Sequence, residues 1–72
     1  MTKVVDMTDE QLIIQARRMK ASKYPNHQIS ETLQITPRSV TNIFEGGNWA
    51  WSAKQLASKI VLVRGWNYNF DY

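Results

Sequence analysis

Four polar residues recur at helical spacing in the middle of the chain, and their side chains could form hydrogen bonds with the edges of nucleic-acid bases. They are Arg38, Thr41, Asn42 and Glu45. Residues three or four apart lie on one face of a helix. Arginine can bond two acceptors of guanine, asparagine can pair with adenine, and a threonine methyl group can contact the thymine methyl group. This set predicts a base-reading surface, with an ordinary polar helix face as the competing interpretation.

The chain offers no comparable set of residues for catalysis or metal binding. It has one histidine, His27, and no cysteine, so paired metal ligands are missing. The six acidic residues are scattered, whereas a nuclease needs clustered carboxylates to hold a cation. No glycine-rich phosphate loop with a lysine occurs, because Gly46 and Gly47 stand alone. We therefore expect no enzyme activity, no catalytic or metal site and no cofactor.

The residues between the polar positions predict the helix that carries them. Val40, Ile43 and Phe44 are spaced i, i+3, i+4, which fits the opposite face of the same helix. Thr36 supplies an N-cap oxygen, and Pro37 falls at the first helical position, where its missing N–H costs nothing. The four polar residues are thus expected to project from a helix whose other side faces a core.

A second, shorter apolar pattern precedes this helix. Ile29 and Leu33 are spaced i, i+4, and Ile35 places an apolar side chain in the connection between the two patterns. Pro25 discourages helical geometry in the residue before it, so the first helix is expected to stop by about Lys23. Asn26 is then expected to cap the second helix. Together the two patterns predict a pair of short helices joined by a tight turn.

This pair of helices resembles the helix-turn-helix motif of small bacterial and phage DNA-binding proteins. Residues 26–45 carry the resemblance, which covers about a third of the chain. The family places apolar residues at five positions, matched here by Ile29, Leu33, Ile35, Val40 and Ile43. Ser30 stands where the family prefers alanine, and Gln34 stands where it prefers glycine in the turn. Gln34 is therefore expected either to accept a positive φ or to remodel the turn.

The resemblance implies a docking mode on double-stranded DNA. Residues 37–45 would enter the major groove, and the start of the preceding helix would face the DNA backbone. Phosphate contacts are expected from helix N-termini and from the basic end of the first helix, with at most a minor part for the histidine. The residues expected to contact phosphates are Arg17, Lys20, Lys23, Asn26, His27, Gln28, Thr36 and Ser39.

The charge distribution is compatible with this docking mode. Between residues 11 and 44 there are five basic residues and one acid, Glu31, in a chain of net charge +3. A basic region on a small helical unit is typical of a nucleic-acid binder. A solvated basic face is one alternative. For Arg17, Arg18 and Lys20, another is the favourable interaction of cations with the C-terminal end of the first helix.

The remaining patterns complete a mainly α fold, a small helix-turn-helix bundle. Thr8 and Gln11 form a capping box that begins the first helix, and Ser52 can cap a fourth. At least one of Trp49 and Trp51 is expected to close the core over the helix pair, with stacking on unpaired bases as the alternative. The expected helices span about residues 8–22, 26–34, 37–45 and 52–63, in a single domain of residues 1–72.

The C-terminal part of the chain allows more than one structure. Residues 60–63 are rich in β-branched side chains, so a strand from Lys59 competes with the end of the fourth helix. Residues 66–72 alternate aromatic and polar side chains, which predicts an extended or β-strand tail. Such a tail could form a hairpin turning at Arg64 and Gly65, resembling a wing. It could equally cover its own domain or join another chain.

Three functions are compatible with these patterns. The first is sequence-specific double-stranded DNA binding by a small transcriptional regulator. The second is a phage-type protein-interaction module that binds a host protein or polymerase through the aromatic extension, residues 65–72. The third is a DNA-docking module of packaging or recombination machinery. A homodimer or a host-protein contact through residues 52–72 is open in each case.

Composition indicates where such a protein would act. The chain has no run of about 20 apolar residues and no signal-peptide layout. The absence of cysteine fits a reducing compartment. We therefore expect no membrane partner and a cytoplasmic location, in a bacterium or a phage-infected host cell.

Overall fold

The computed structural model describes residues 6–63 as a mainly helical fold, which confirms the predicted fold class. The α1 helix is centrally placed and packs against both α2 and α4, while α3 packs against α2 and against the turn that follows it. In chain order the elements are α1 (Asp9–Ala21), α2 (Asn26–Leu33), α3 (Pro37–Phe44), a 3-10 turn (Asn48–Ala50) and α4 (Ala53–Lys59).

The start of α1 is the predicted capping box. The Thr8 Oγ1 atom accepts a hydrogen bond from the Gln11 backbone N–H at 3.2 Å, and the Gln11 Oε1 atom accepts one from the Thr8 N–H at 3.0 Å. After Ala21, the Ser22 N–H is bonded to carbonyls of the last turn. Lys23 then takes a φ of 70° and turns the chain toward α2. The predicted bounds of this helix are correct to within one residue.

The two ends of α2 differ from each other in how well the sequence predicts them. Its N-cap is Pro25, which makes no side-chain hydrogen bond, and Asn26 is the first helical residue, so the prediction that Asn26 caps this helix is wrong. At the other end Gln34 takes the left-handed conformation, with φ 55° and ψ 41°. Of the two expectations for this residue, the structure shows the positive φ. The turn between α2 and α3 thus forms without glycine.

The α3 helix begins as its sequence predicts. The Thr36 Oγ1 atom accepts a hydrogen bond from the Ser39 N–H at 3.1 Å, and Pro37 occupies the first turn. Val40 and Ile43 are fully buried. Since both side chains point to the core, the opposite face of α3 must carry the polar residues between them.

One contiguous core joins the four helices. Half-buried side chains, Phe44 and Met19 among them, surround it. A chain of this size buries only about 60% of the surface of its unfolded form, so every core position contributes heavily to stability. The buried apolar residues are Leu12, Ile13, Ala16, Ile29, Leu33, Ile35, Val40, Ile43, Leu56 and Leu62.

The α4 helix is shorter than the predicted residues 52–63. Ser52 caps it as expected, but the helix ends at Lys59 and Ile60 is already extended, with φ −123° and ψ 159°. Residues 61–63 are neither helix nor strand, so a strand from Lys59 is not observed either. The β-branched run opposes helix continuation, and Leu62 is buried in the core instead. The predictions for a hairpin at 64–65 and for the tail 66–72 lie outside the described residues.

A pair of adjacent glycines follows α3, and only the first of them needs to be glycine. Gly46 has a φ of +60°, whereas Gly47 has a φ of −94°. A Cβ atom at either position would meet nothing within 4 Å. The requirement at Gly46 is therefore conformational and not steric.

We expect Gly46→Ala to lower the free energy of unfolding by about 1–2 kcal/mol, because an L-residue is strained in this conformation. Gly47→Ala is the matched control. It should be neutral or stabilise by up to about 1 kcal/mol through the unfolded chain. Urea denaturation of the two variants measures both effects. Equal destabilisation by the two substitutions would contradict this account of the turn.

None of the helices within residues 6–63 combines the length and the apolar character needed to cross a lipid bilayer.

Candidate nucleic-acid interface

The outer face of α3 brings the four predicted base-reading residues together. Arg38, Thr41 and Glu45 are exposed and Asn42 is half-buried. All four line one open concavity of about 340 Å³. Their spacing of i, i+3, i+4 and i+7 places them on one stripe of the helix, opposite the buried core residues of α3. This face presents an arginine, an amide, a hydroxyl and a carboxylate side by side.

The charges on this face are placed against the preference of the helix dipole. On α1 the acids lie in the first turn and the bases in the last turn, which stabilises a helix. On α3 the order is reversed, because Arg38 is the second helical residue and Glu45 is the C-cap. A charge at the unfavourable helix end costs roughly 0.3–1 kcal/mol. Helix stability therefore does not explain the placement of these two residues.

Two hydrogen bonds involve residues of the stripe. The one made by the Thr41 hydroxyl restricts what the stripe can offer to a ligand, whereas the other uses only the backbone carbonyl of Asn42. The Thr41 hydroxyl donates to the Pro37 carbonyl oxygen at 3.1 Å. Its proton is therefore used, and the side chain presents acceptor lone pairs and a methyl group. The Asn42 carbonyl oxygen accepts a hydrogen bond from the Asn48 Nδ2 atom. This bond fastens the turn after α3 to the helix end. Asn48 has no part in the sequence-based prediction, although it directly follows the paired glycines that end the helix.

Several expected phosphate-contacting residues lie where α1 meets α2. Lys23, His27 and Gln28 are exposed. The Lys20 Nζ atom lies 2.6 Å from the Asn26 Oδ1 atom, which ties the end of α1 to the start of α2. Lys20 and Asn26 are half-buried, so they offer less of their surface to a ligand than the three exposed residues do.

Arg17 is used inside the protein, contrary to the expectation that it contacts phosphate. Its Nη2 atom donates to the carbonyl oxygens of Asn48 at 3.1 Å and of Trp51 at 2.7 Å. Its Cζ atom lies 5.6 Å from the centre of the Trp49 ring. The guanidinium thus holds the turn of residues 48–51 against α1, and we exclude Arg17 from the proposed interface.

Ser39 and Thr36 also serve the fold instead of offering free phosphate donors. Ser39 is 1% exposed, and its Oγ atom lies 2.8 Å from the Thr36 Oγ1 atom and accepts from the Val63 N–H at 2.9 Å. The Thr36 N–H donates to the Val63 carbonyl oxygen at 3.1 Å. Because the Ser39 hydroxyl is buried and occupied in this way, we exclude Ser39 from the proposed interface. We call this arrangement of Thr36, Ser39 and Val63 the Val63 clasp.

The two tryptophans after α3 lie at the edge of the core. The Trp49 ring stacks on Phe44, with ring centres 5.1 Å apart and an angle of 26° between the planes. Phe44 in turn packs against the buried core. Trp49 thus extends the core outward but remains 49% exposed, and Trp51 is 37% exposed.

No family model, curated protein or solved structure matches the chain. Within residues 6–63 no three histidine, aspartate or glutamate side chains are grouped closely enough to hold a metal ion.

Proposed function

We propose that the chain binds double-stranded DNA in a sequence-dependent manner and acts as a small transcriptional regulator of bacterial or phage type. In this proposal the outer face of α3 enters the major groove, with Arg38, Thr41, Asn42 and Glu45 toward the base edges. The observation that carries the proposal is the face itself. It combines side chains suited to base edges with charges whose positions helix stability does not explain.

The dimensions of α3 suit this role. The helix has eight residues, and the diameter of an α-helix with its side chains, about 10–12 Å, fits the major groove, which is about 12 Å wide. Arg38 and Asn42 are four residues apart, or about 6 Å along the helix axis. Base pairs repeat about every 3.4 Å along the duplex. Their separation therefore corresponds to about two base-pair steps, so the two side chains would address different base pairs.

The exposed residues near the start of α2 would hold the DNA backbone. Lys23 supplies a positive charge, while His27 and Gln28 lie in the first turn of α2. In a helix-turn-helix docking geometry this end approaches the phosphates. Contacts of this kind fix the position of the protein on the duplex and carry no sequence information directly.

We expect Lys23→Ala to weaken binding to all duplexes by a similar factor. The slope of log affinity against log salt should become shallower by about 1, because one phosphate contact is lost. Lys54→Ala is the matched control, since it removes the same charge from α4, which has no proposed DNA contact. Fluorescence anisotropy across a salt series measures both slopes. A change in base preference for Lys23→Ala, or equal slopes for the two variants, would contradict the assignment.

In vitro selection of bound duplexes from a random pool tests the proposed function. We expect enrichment of a short site, and two copies related by a two-fold axis and about 34 Å apart if the protein binds as a dimer. If the selected pool shows no enriched sequence, and the protein prefers no duplex at moderate salt, the proposal is wrong.

A further inference from the structure

Two tryptophan side chains remain exposed on the surface that follows α3. Trp49 is 49% exposed and Trp51 is 37% exposed. Both belong to the short turn between α3 and α4, and Trp51 is absent from the core and from its immediate neighbours. Two partly exposed indoles only two residues apart place a large apolar area on one short turn, and large exposed apolar areas mark interaction sites. Tryptophan is also among the residues most enriched at the energetic centres of protein interfaces.

Each exposed indole ring has a cation close to it. The Arg17 Cζ atom lies 5.6 Å from the Trp49 ring centre, and the Lys59 Nζ atom lies 4.3 Å from the Trp51 ring centre. Arg17 is fixed there by its two hydrogen bonds to backbone carbonyls. Residues 46–63 include two lysines and no acid. We name Arg17, Trp49, Trp51 and Lys59 the indole–cation surface.

We propose that the indole–cation surface binds an acidic segment of another protein, with carboxylates next to apolar side chains. The carboxylates would complement the charge of Lys59, which is exposed, while Arg17 holds the turn of residues 48–51 in place. The apolar side chains would cover the exposed indole surface. Electrostatic complementarity of this kind selects partners and accelerates association. The proposal is independent of duplex binding by α3, because it uses none of the residues of the outer α3 face.

Other occupants fit these observations less well. Unpaired bases bind proteins by stacking on aromatic rings, but Phe44 and Arg17 already lie over the Trp49 ring. The outside of duplex DNA is lined by phosphates and sugars and offers little apolar surface to cover an indole. A second copy that met this surface with its own would bring cations against cations, which is unfavourable. An acidic, partly apolar peptide satisfies both the charge and the exposed rings.

The test is a selection of random short peptides on the full chain, with Trp51→Ala protein used to remove peptides that bind elsewhere. We expect the enriched peptides to combine Asp or Glu with apolar residues. One enriched peptide is then synthesised with a fluorescein label. Its affinity for Trp51→Ala should be about tenfold lower than for the parent chain, as for the truncation of an interface anchor. Lys59→Gln should lower the peptide affinity by a smaller factor, and added salt should lower the affinity of the parent chain for the peptide.

Val61→Ala is the control for the loss of an exposed apolar side chain elsewhere, since Val61 is 78% exposed. It should leave peptide affinity unchanged. Circular dichroism confirms that each variant is folded, and duplex affinity should be the same in Trp51→Ala as in the parent chain. The proposal is overturned if the enriched peptides are neutral or basic, or if no peptide is enriched. It is also overturned if the selected peptide binds the parent chain and Trp51→Ala with equal affinity. Two further results would overturn it. One is that the binding of labelled oligothymidine to the protein depends on Trp51, and the other is that self-association of the protein, measured by sedimentation, depends on Trp51.

Discussion

Ile43→Ala is expected to lower the free energy of unfolding by about 2–5 kcal/mol, the range for removing a buried isoleucine side chain. Ile43 is 0% exposed and lies on the inner face of α3, in the core that joins the four helices. A chain of 72 residues has a total stability of roughly 4–11 kcal/mol, at about 0.05–0.15 kcal/mol per residue. The substitution therefore removes a large part of the stability and, with it, the orientation of the outer face.

Ile14→Ala is the matched control, because it makes the same chemical change at a half-buried position of α1. Its effect should be clearly smaller, since less buried surface is lost and no closed cavity forms. Urea unfolding followed by circular dichroism gives both values. Equal losses for the two variants would mean that α3 does not pack through Ile43, and the proposed orientation of the outer face would then be wrong.

Arg38→Ala is expected to lower the preference for the selected site by about 1–3 kcal/mol, or roughly fivefold to more than a hundredfold, which is the discrimination of one bidentate base contact. Asn42→Ala should have a similar effect at a base pair about two steps away. Each substitution should abolish the base preference at one position of the selected site and leave the base preferences at the other positions unchanged. Repeating the selection with each variant shows which base pair has lost its preference.

A stability measurement on Arg38→Ala separates this functional role from a structural one. Because the cation lies in the first turn of α3, its removal should leave stability unchanged or raise it by up to about 1 kcal/mol. Arg18→Ala is the matched control, since Arg18 is exposed in the last turn of α1 and should not affect base preference. A large loss of stability in Arg38→Ala, or an unchanged selected site, would contradict the proposed role.

The parts of the fold that local rules determine are the parts that the sequence predicts. The caps at Thr8, Thr36 and Ser52 each depend on a residue three positions further along the chain. The division of α3 into two faces follows from the helical period, since Val40 and Ile43 are buried. Helix geometry also brings the four residues of the outer face together, so this part of the candidate site is visible in the sequence.

Two residues that were expected to contact phosphates make long-range hydrogen bonds within the fold instead. Arg17 looks like a free cation at the end of a helix, but its two carbonyl partners lie 31 and 34 residues away. Ser39 looks like a phosphate ligand in the first turn of α3, but it is buried because Val63, 24 residues later, bonds to its hydroxyl. Neither pairing has a local pattern. Only the packing of the turn of residues 48–51 and of the segment after α4 reveals which polar side chains are already occupied.

The Val63 clasp has a consequence for attempts to transplant the motif. A graft of residues 26–45 onto another scaffold would carry Arg38 and Asn42, but it would separate Ser39 and Thr36 from the backbone groups that pair with them here. Each polar group buried without its partner costs about 1–3 kcal/mol. The smallest portable unit therefore extends to Val63, and engineered hybrids should be joined beyond that residue.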